Sequence, residues 1–233
     1  MILIVLDCIK FKLFVMLLCN MRSSFSLSLL YHAYVYLEFL ILACTIYILA
    51  PDKPNEKWLT DVSEFKYYRG NEVHKVYLSA ILDLYDRRIV TFKISDHNDN
   101  PLVMDTFDEA VNLEPDAHPL FHSDRGFQYT STQFYTRLKK HHMKQSMSRV
   151  SHCIDNGPME GFWGILKREM YYCQHFSDRD TLVAAITNYI NYYNNLRLQR
   201  KLNIMTPMEY HNQYIKVASS DCMPGMQPST KLF

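Results

Sequence analysis

The sequence predicts an α/β domain built on a mixed five-stranded sheet flanked by helices, and three observations carry that prediction. Beyond residue 57, three apolar runs with strand character follow one another without a helix between them. Two further short strand-like runs are then separated by segments whose apolar residues recur at helical spacing. Finally, 17 Tyr and 13 Phe supply large apolar bodies for a core in a chain of 233 residues, long enough for one domain plus an appendage.

The elements follow in order. WLTDVSEF (58–65) alternates, with Leu59, Asp61, Ser63 and Phe65 on one face and Trp58, Thr60, Val62 and Glu64 on the other, so it reads as a strand carrying an acid. VYLSAILD (76–83) and RIVTFKI (88–94) are β-branched and aromatic runs across a short turn, an antiparallel hairpin. Asn100-Pro101 opens a helix through Leu102, Val103, Phe107, Ala110 and Val111. PLFHSD (119–124) is a short strand ending in an acid. Thr130 with Gln133 suggests a capping box for a helix through Phe134, Leu138 and His141. MKQSMS (143–148) gives the fifth strand, and the turn-rich SRVSHCIDNGP leads into a helix containing Glu160, Phe162, Trp163, Ile165 and Leu166. A last helix, capped by Ser177 with Asp180, carries the stripe Leu182, Ile186, Tyr189, Ile190 and Tyr193.

The ends differ from this middle. Residues 1–50 hold five charged residues and neither Pro nor Gly, and the composition changes abruptly at Pro51. Hydropathy permits a membrane helix over 29–50, although Glu38 near its centre opposes one. A non-native segment, read in a shifted frame or fused upstream, and an ordinary buried helix are the other readings. Residues 215–233 look like a disordered tail. The six cysteines form no CxxC pair and no regular framework, which favours a reducing compartment.

The formal net charge of +1 conceals two opposed halves. Residues 51–124 carry 8 Lys and Arg against 15 Asp and Glu, and residues 125–216 carry 13 against 6. Such segregation suits a carboxylate site facing a polyanion, though two solvated faces would look the same. Three acids have unusual settings: Asp61 inside a strand, Asp124 at a strand end, and Glu160 entering an apolar helix. Thirty-five residues separate Asp124 from Glu160. Lys167 follows Glu160 by seven, about 700° of α-helix, so acid and cation share a face.

This pattern resembles the Asp, Asp, 35-residue spacer, Glu signature of the retroviral-integrase-like DDE transposases. The surrounding words agree: WLTDVSEF, HSDRGFQYTS and SMSRVSHCIDNGPMEGFWGILKREMYY. YINYYNNLRLQRKLNIMTPMEYHNQ (189–213) is similar to the closing segment of bacterial insertion-sequence transposases encoded in two overlapping reading frames. The resemblance covers residues 51–214 and implies a ribonuclease-H-like integrase core, the N-terminally truncated product of a second frame. It implies Asp61, Asp124 and Glu160 as catalytic residues and ligands of Mg²⁺ or Mn²⁺, as two ions. Lys167 would contact the element's terminal DNA, with Arg168 and Arg149 beside it, and Arg197, Arg200 and Lys201 would grip backbone phosphate. Implied partners are insertion-sequence ends, target DNA and further copies of the chain, in a bacterial cytoplasm.

Independently of the resemblance, clustered carboxylates repel unless a cation neutralises them, and all-oxygen ligands suit hard ions. Relatives carry a helix-turn-helix region ahead of the core where residues 1–50 show no such pattern, so an inactive remnant is one expectation. A nuclease that cuts without joining, and a non-catalytic DNA-binding or membrane-tethered protein, are the alternatives. Trp163 and Phe162 could stack on a base, but their place in the apolar pattern assigns them to packing.

Overall fold

The computed structural model describes residues 51–147 and 157–221, all within the compact unit that begins at Pro51. The N-terminal segment with its candidate membrane helix over 29–50, Arg149 and most of the turn-rich loop lie outside the described residues. Among the described residues no helix is long and apolar enough to cross a membrane.

The sheet has the order β3-β2-β1-β4-β5. Strands β1 (Lys57–Arg69), β2 (Glu72–Asp83) and β3 (Ile89–Ser95) form an antiparallel meander, and β4 (Leu120–Ser123) and β5 (Lys144–Met147) add on in parallel with β1. Gly70 makes the β1–β2 turn at a φ of 59°, a left-handed conformation that costs glycine little. Each parallel step needs a crossover. Helix α1 (Asn100–Leu113) precedes β4, and α2 (Thr132–Lys140) links β4 to β5.

The alternation of β1 sorts the core into two layers. Leu59 and Phe65 join Leu78, Ala80 and Leu82 of β2 beneath α3 (Gly157–Leu166) and α4 (Arg179–Asn195). Trp58 and Ile81 face the opposite way, toward Val103 and Phe107 of α1 and Phe134 and Leu138 of α2. The aromatic residues interlock edge to face: Phe107 lies 5.5 Å from Phe121 and 5.6 Å from Phe134. The expected α4 stripe of Leu182, Ile186, Tyr189, Ile190 and Tyr193 is buried throughout.

Two caps fall one residue later than the sequence suggests. Ser131, not Thr130, accepts from Phe134 N at 3.2 Å, because Thr130 turns its hydroxyl back to Gly126 O and Phe127 O. Asp178, not Ser177, accepts from Thr181 N at 2.7 Å; a carboxylate at that position also complements the helix dipole.

The disordered tail expected from residue 215 requires correction. Helix α5 (Pro207–Asp221) continues through 215–221, while 222–233 lie outside the described residues. Thr206 and Glu209 form a reciprocal capping box, Thr206 N to Glu209 Oε2 at 2.9 Å and Glu209 N to Thr206 Oγ1 at 3.1 Å. Once that costly nucleus exists, polar residues extend the helix at little expense, even exposed ones.

Helix α5 docks on a buried polar cluster at the β2–β3 turn. His211 Nδ1 lies 2.7 Å from Asp86 Oδ2, and Arg88 reaches both Asp86 and Glu114. Asp83 beside them accepts from Asn55 N and Tyr85 N. Burial and the Asp86 charge nevertheless push its carboxyl up to about 7.

Candidate active site

Three elements deliver the three acids. Strand β1 carries Asp61 on the face shared with Leu59 and Phe65, toward α3. Pairing of β1 with β4 ends at Leu59 opposite His122, and Asp124 follows directly on the last residue of β4, near enough for its charge to be felt at Asp61. Glu160 stands in the first turn of α3, where the helix dipole favours a negative charge. Met159, Phe162, Trp163 and Leu166 bury the other side of that helix and fix its rotation.

Asp61 is held from two directions. Its Oδ1 accepts from Val62 N at 2.8 Å and its Oδ2 accepts from Trp163 Nε1 at 3.0 Å. Burial raises its pKa to about 6 against those two bonds, and the charges of Asp124 and Glu160 add to the rise. Asp61 therefore lies within electrostatic reach of both other carboxylates. Among the described residues, no group of three or more His, Cys, Asp or Glu stands close enough to hold a metal ion.

Asp124 is oriented by its own turn, Oδ1 accepting from Gly126 N at 2.8 Å. A Cβ at Gly126 would stand 3.0 Å from that oxygen and 3.0 Å from Gln128 Oε1, so any side chain there would press on the Asp124 carboxylate. Beneath the site, the buried Tyr129 hydroxyl and Thr60 Oγ1 are 3.2 Å apart, and burial pushes the phenol well above its ordinary pKa.

The cations separate into distinct groups. Lys167 lies over the Phe65 ring, Nζ 5.2 Å from its centroid; burial lowers its pKa while Asp61 and Glu64 pull it up. Its carbonyl accepts from Tyr172 N at 2.7 Å, closing a π-helical turn over Lys167–Tyr171. Arg168 is exposed next to it. Arg197 is committed elsewhere: Nε and Nη2 donate to Glu169 at 2.9 and 2.6 Å, and the carboxylate drives the guanidinium pKa upward. Arg200 and Lys201 are exposed on a 3₁₀ turn, Arg200–Leu202.

Sequence reasoning assigned Trp163 to packing alone. It is buried, as expected, but it also donates to Asp61. The available signal was that a buried indole N–H requires an acceptor, and Trp163 lies three residues after Glu160 on the same helix.

The same folded segments match known proteins. Two models described as integrase core domain match residues 51–153 and 160–215. The putative transposase InsK of insertion sequence IS150 from Escherichia coli is 42% identical over 162 residues, covering 69% of this chain and 56% of that protein. An uncharacterized transposase-like protein from Haemophilus influenzae is 38% identical over 161 residues, 69% of this chain and 73% of its own length. The chain spans little more than half of the Escherichia coli relative. Among solved structures, the HTLV-2 integrase catalytic core domain in complex with magnesium, in a dimeric form, superposes with a TM-score of 0.54 at 20% identity, over 69% of this chain and 98% of that one. A simian T-cell lymphotropic virus intasome chain gives 0.58 at 18%, over 78% and 59%. These likenesses support the ribonuclease-H-like integrase fold, and with the two relatives they place the protein: the chain belongs to the integrase-core family of bacterial insertion-sequence transposases.

Proposed function

We propose that this chain is the catalytic core of a transposase that cleaves DNA at insertion-sequence ends and joins the freed end to another strand. The observation that carries the reading is the 3.0 Å bond from Trp163 Nε1 to Asp61 Oδ2, which sets the helix bearing Glu160 against the strand bearing Asp61 in a chain that matches integrase core domain models. Asp61, Asp124 and Glu160 come from a strand, a strand end and a facing helix, and they do not stand close enough together here to form a three-residue metal group. Their donor set is oxygen only, and a divalent cation relieves their repulsion, so the residues suit Mg²⁺ or Mn²⁺. The magnesium named for the HTLV-2 core supports that choice. Asp61, Asp124 and Glu160 would be the residues to hold such a cation, and the chemistry it would supply there is Lewis-acid stabilisation of the charge that develops on phosphate oxygens.

The chain's own residues do the rest. Trp163 and Val62 N hold Asp61 in one orientation, Gly126 N holds Asp124, and the first turn of α3 presents Glu160. Lys167 and Arg168 meet phosphate and position the duplex without reading its sequence. In the first step water attacks a phosphodiester, one P–O bond replaces another, and a 3′-hydroxyl is released. In the second, that hydroxyl attacks a phosphodiester of the target strand, again exchanging one P–O bond for one. Bonds made equal bonds broken, so no external energy source enters. The dimeric HTLV-2 form supports assembly of copies on DNA.

The test is a strand-transfer assay with a pre-cut insertion-sequence end in Mg²⁺. Joined products are expected from wild type and not from Asp124→Asn or Glu160→Gln. Shortened products alone would make the protein a nuclease, and nicking that survives both substitutions would overturn the site.

A further inference from the structure

Strand β1 pairs with β4 only as far as Leu59, and further along its free edge is covered by residues 171–176. The Tyr171 hydroxyl accepts from Lys66 N at 2.9 Å and donates to Lys66 O at 3.0 Å, so one phenol replaces a neighbouring strand. Tyr68 N donates to Phe176 O at 2.9 Å. Between these two anchors the chain turns outward and leaves Tyr172 70% exposed.

The side chains presented there are unusual for a solvated loop. His175 lies edge-on to Tyr68 with ring centroids 4.8 Å apart, and Lys66 and Arg168 are exposed, whereas Arg69 turns to the other face of β1 and lies over the Tyr67 ring. The nearby Glu64 is engaged by Lys75 at 2.9 Å and Lys66 at 3.9 Å, and Glu169, which feels the Arg168 charge, is engaged by Arg197 at 2.6 Å. Two further carboxylates lie toward the hairpin end, Glu72 beside His74 and Asp178 within reach of Arg69.

We propose that Lys66, Tyr68, Arg168, Tyr172 and His175 form a platform for unpaired DNA leading away from the candidate active site. Bases stack on Tyr172 and Tyr68, and the cations track the phosphates. The proposal rests on the transposase reading and adds to it a surface for the strand beside the reacting bond. The platform is continuous with the site: Lys167, which feels the Asp61 charge, opens the turn that ends in Tyr171. Tyr68 follows Asp61 by seven residues of β1, roughly 23 Å, an odd step that puts it on the other face of the strand, beside the edge that residues 171–176 cover. A cationic strip with an open π-face matches a polyanion carrying bases better than it matches a second copy of this chain.

Fluorescence anisotropy of the full chain tests this, with two probes of equal length: a duplex bearing an unpaired stretch at the scissile end, and its fully paired counterpart. Tyr172→Ala is expected to weaken binding of the partly unpaired probe about 5- to 100-fold, with the paired probe unaffected and Tyr172→Phe retaining wild-type affinity. An iodouracil in the unpaired stretch should photocrosslink to Tyr172. Equal losses on both probes, or none on either, would overturn the platform, as would a change of oligomeric state in Tyr172→Ala with DNA affinity intact. Wild type that crosslinks through Tyr172 but never cleaves in Mg²⁺ would remove the catalytic reading and leave the platform standing. Cleavage and joining unchanged in Tyr172→Ala, together with no crosslink, would do the reverse.

Discussion

The indole N–H of Trp163 donates to Asp61 Oδ2 at 3.0 Å, joining the helix that carries Glu160 to the strand that carries the first acid. This bond opposes the burial that raises the Asp61 carboxyl. A hydrogen bond to a charged group is worth about 1.5–3 kcal/mol. Trp163→Phe keeps most of the ring packing against Phe162 and removes only the donor. Strand cleavage should fall roughly 10- to 100-fold while the urea midpoint stays near wild type. An equally active Trp163→Phe would show that the bond orients nothing of consequence.

The mutual repulsion of the acids predicts opposite responses without and with metal. Glu160→Gln removes one of the charges that raise Asp61, so without metal its melting temperature should equal or exceed that of wild type. Wild type should gain stability on adding Mg²⁺ by preferential binding to the folded state, and Glu160→Gln should gain little. Calorimetry with EDTA and then with Mg²⁺ measures both.

Gly126→Ala brings a methyl to within 3.0 Å of Asp124 Oδ1 and Gln128 Oε1. The carboxylate must then give way by a few tenths of an ångström, straining the bond it accepts from Gly126 N at 2.8 Å. Cleavage should drop several-fold, short of the roughly 100-fold that a misplacement of about 1 Å can cost. A crystal structure of the variant with Asp124 unmoved and cleavage intact would contradict this.

Arg197 is expected to serve stability before DNA. Its removal leaves Glu169 bonded only to the Tyr189 hydroxyl among its described partners. The pair is partly exposed, so Arg197→Ala should cost only about 1 kcal/mol in urea. The salt dependence of DNA affinity should keep its slope, whereas Arg168→Ala should reduce it by about one counterion. The reverse pattern would return Arg197 to the phosphate contacts.

Asp83 gives a pH dependence with a defined sign. Burial and Asp86 raise its folded pKa to about 7 from an ordinary 3.8, so the folded state holds a proton more tightly than the unfolded one. Its contribution to stability is greatest below pH 3.8 and declines as pH rises through about 7. Urea midpoints of wild type minus those of Asp83→Asn should decrease across that window. A flat difference would mean that Asp83 ionises normally.

The strands of the meander, α1, both faces of β1 and the α4 stripe were legible in the sequence, because burial imposes a period of two on strands and 3.6 on helices. Helix starts were less so. Ser131 and Asp178 cap where Thr130 and Ser177 also qualify by residue type, and only the path of the preceding turn selects between them. Residues 215–221 read as polar tail because their helix depends on a nucleus at Thr206–Glu209 rather than on an apolar stripe.

For the site, the sequence by itself supplied three candidate acids, their order and a cation seven residues after the last. Spacing along one helix is local geometry and suggests Lys167 on the side of Glu160; in the structure Lys167 opens the π-turn after α3 and lies over Phe65, where it feels Asp61 and Glu64. The tertiary structure decided what those residues face. It turned the Trp163 indole onto Asp61. It tied Arg197 to Glu169, and it exposed Tyr172 beside the strand edge that residues 171–176 cover. Each of these joins residues distant in the chain, and such contacts follow from the packing of layers rather than from any local pattern.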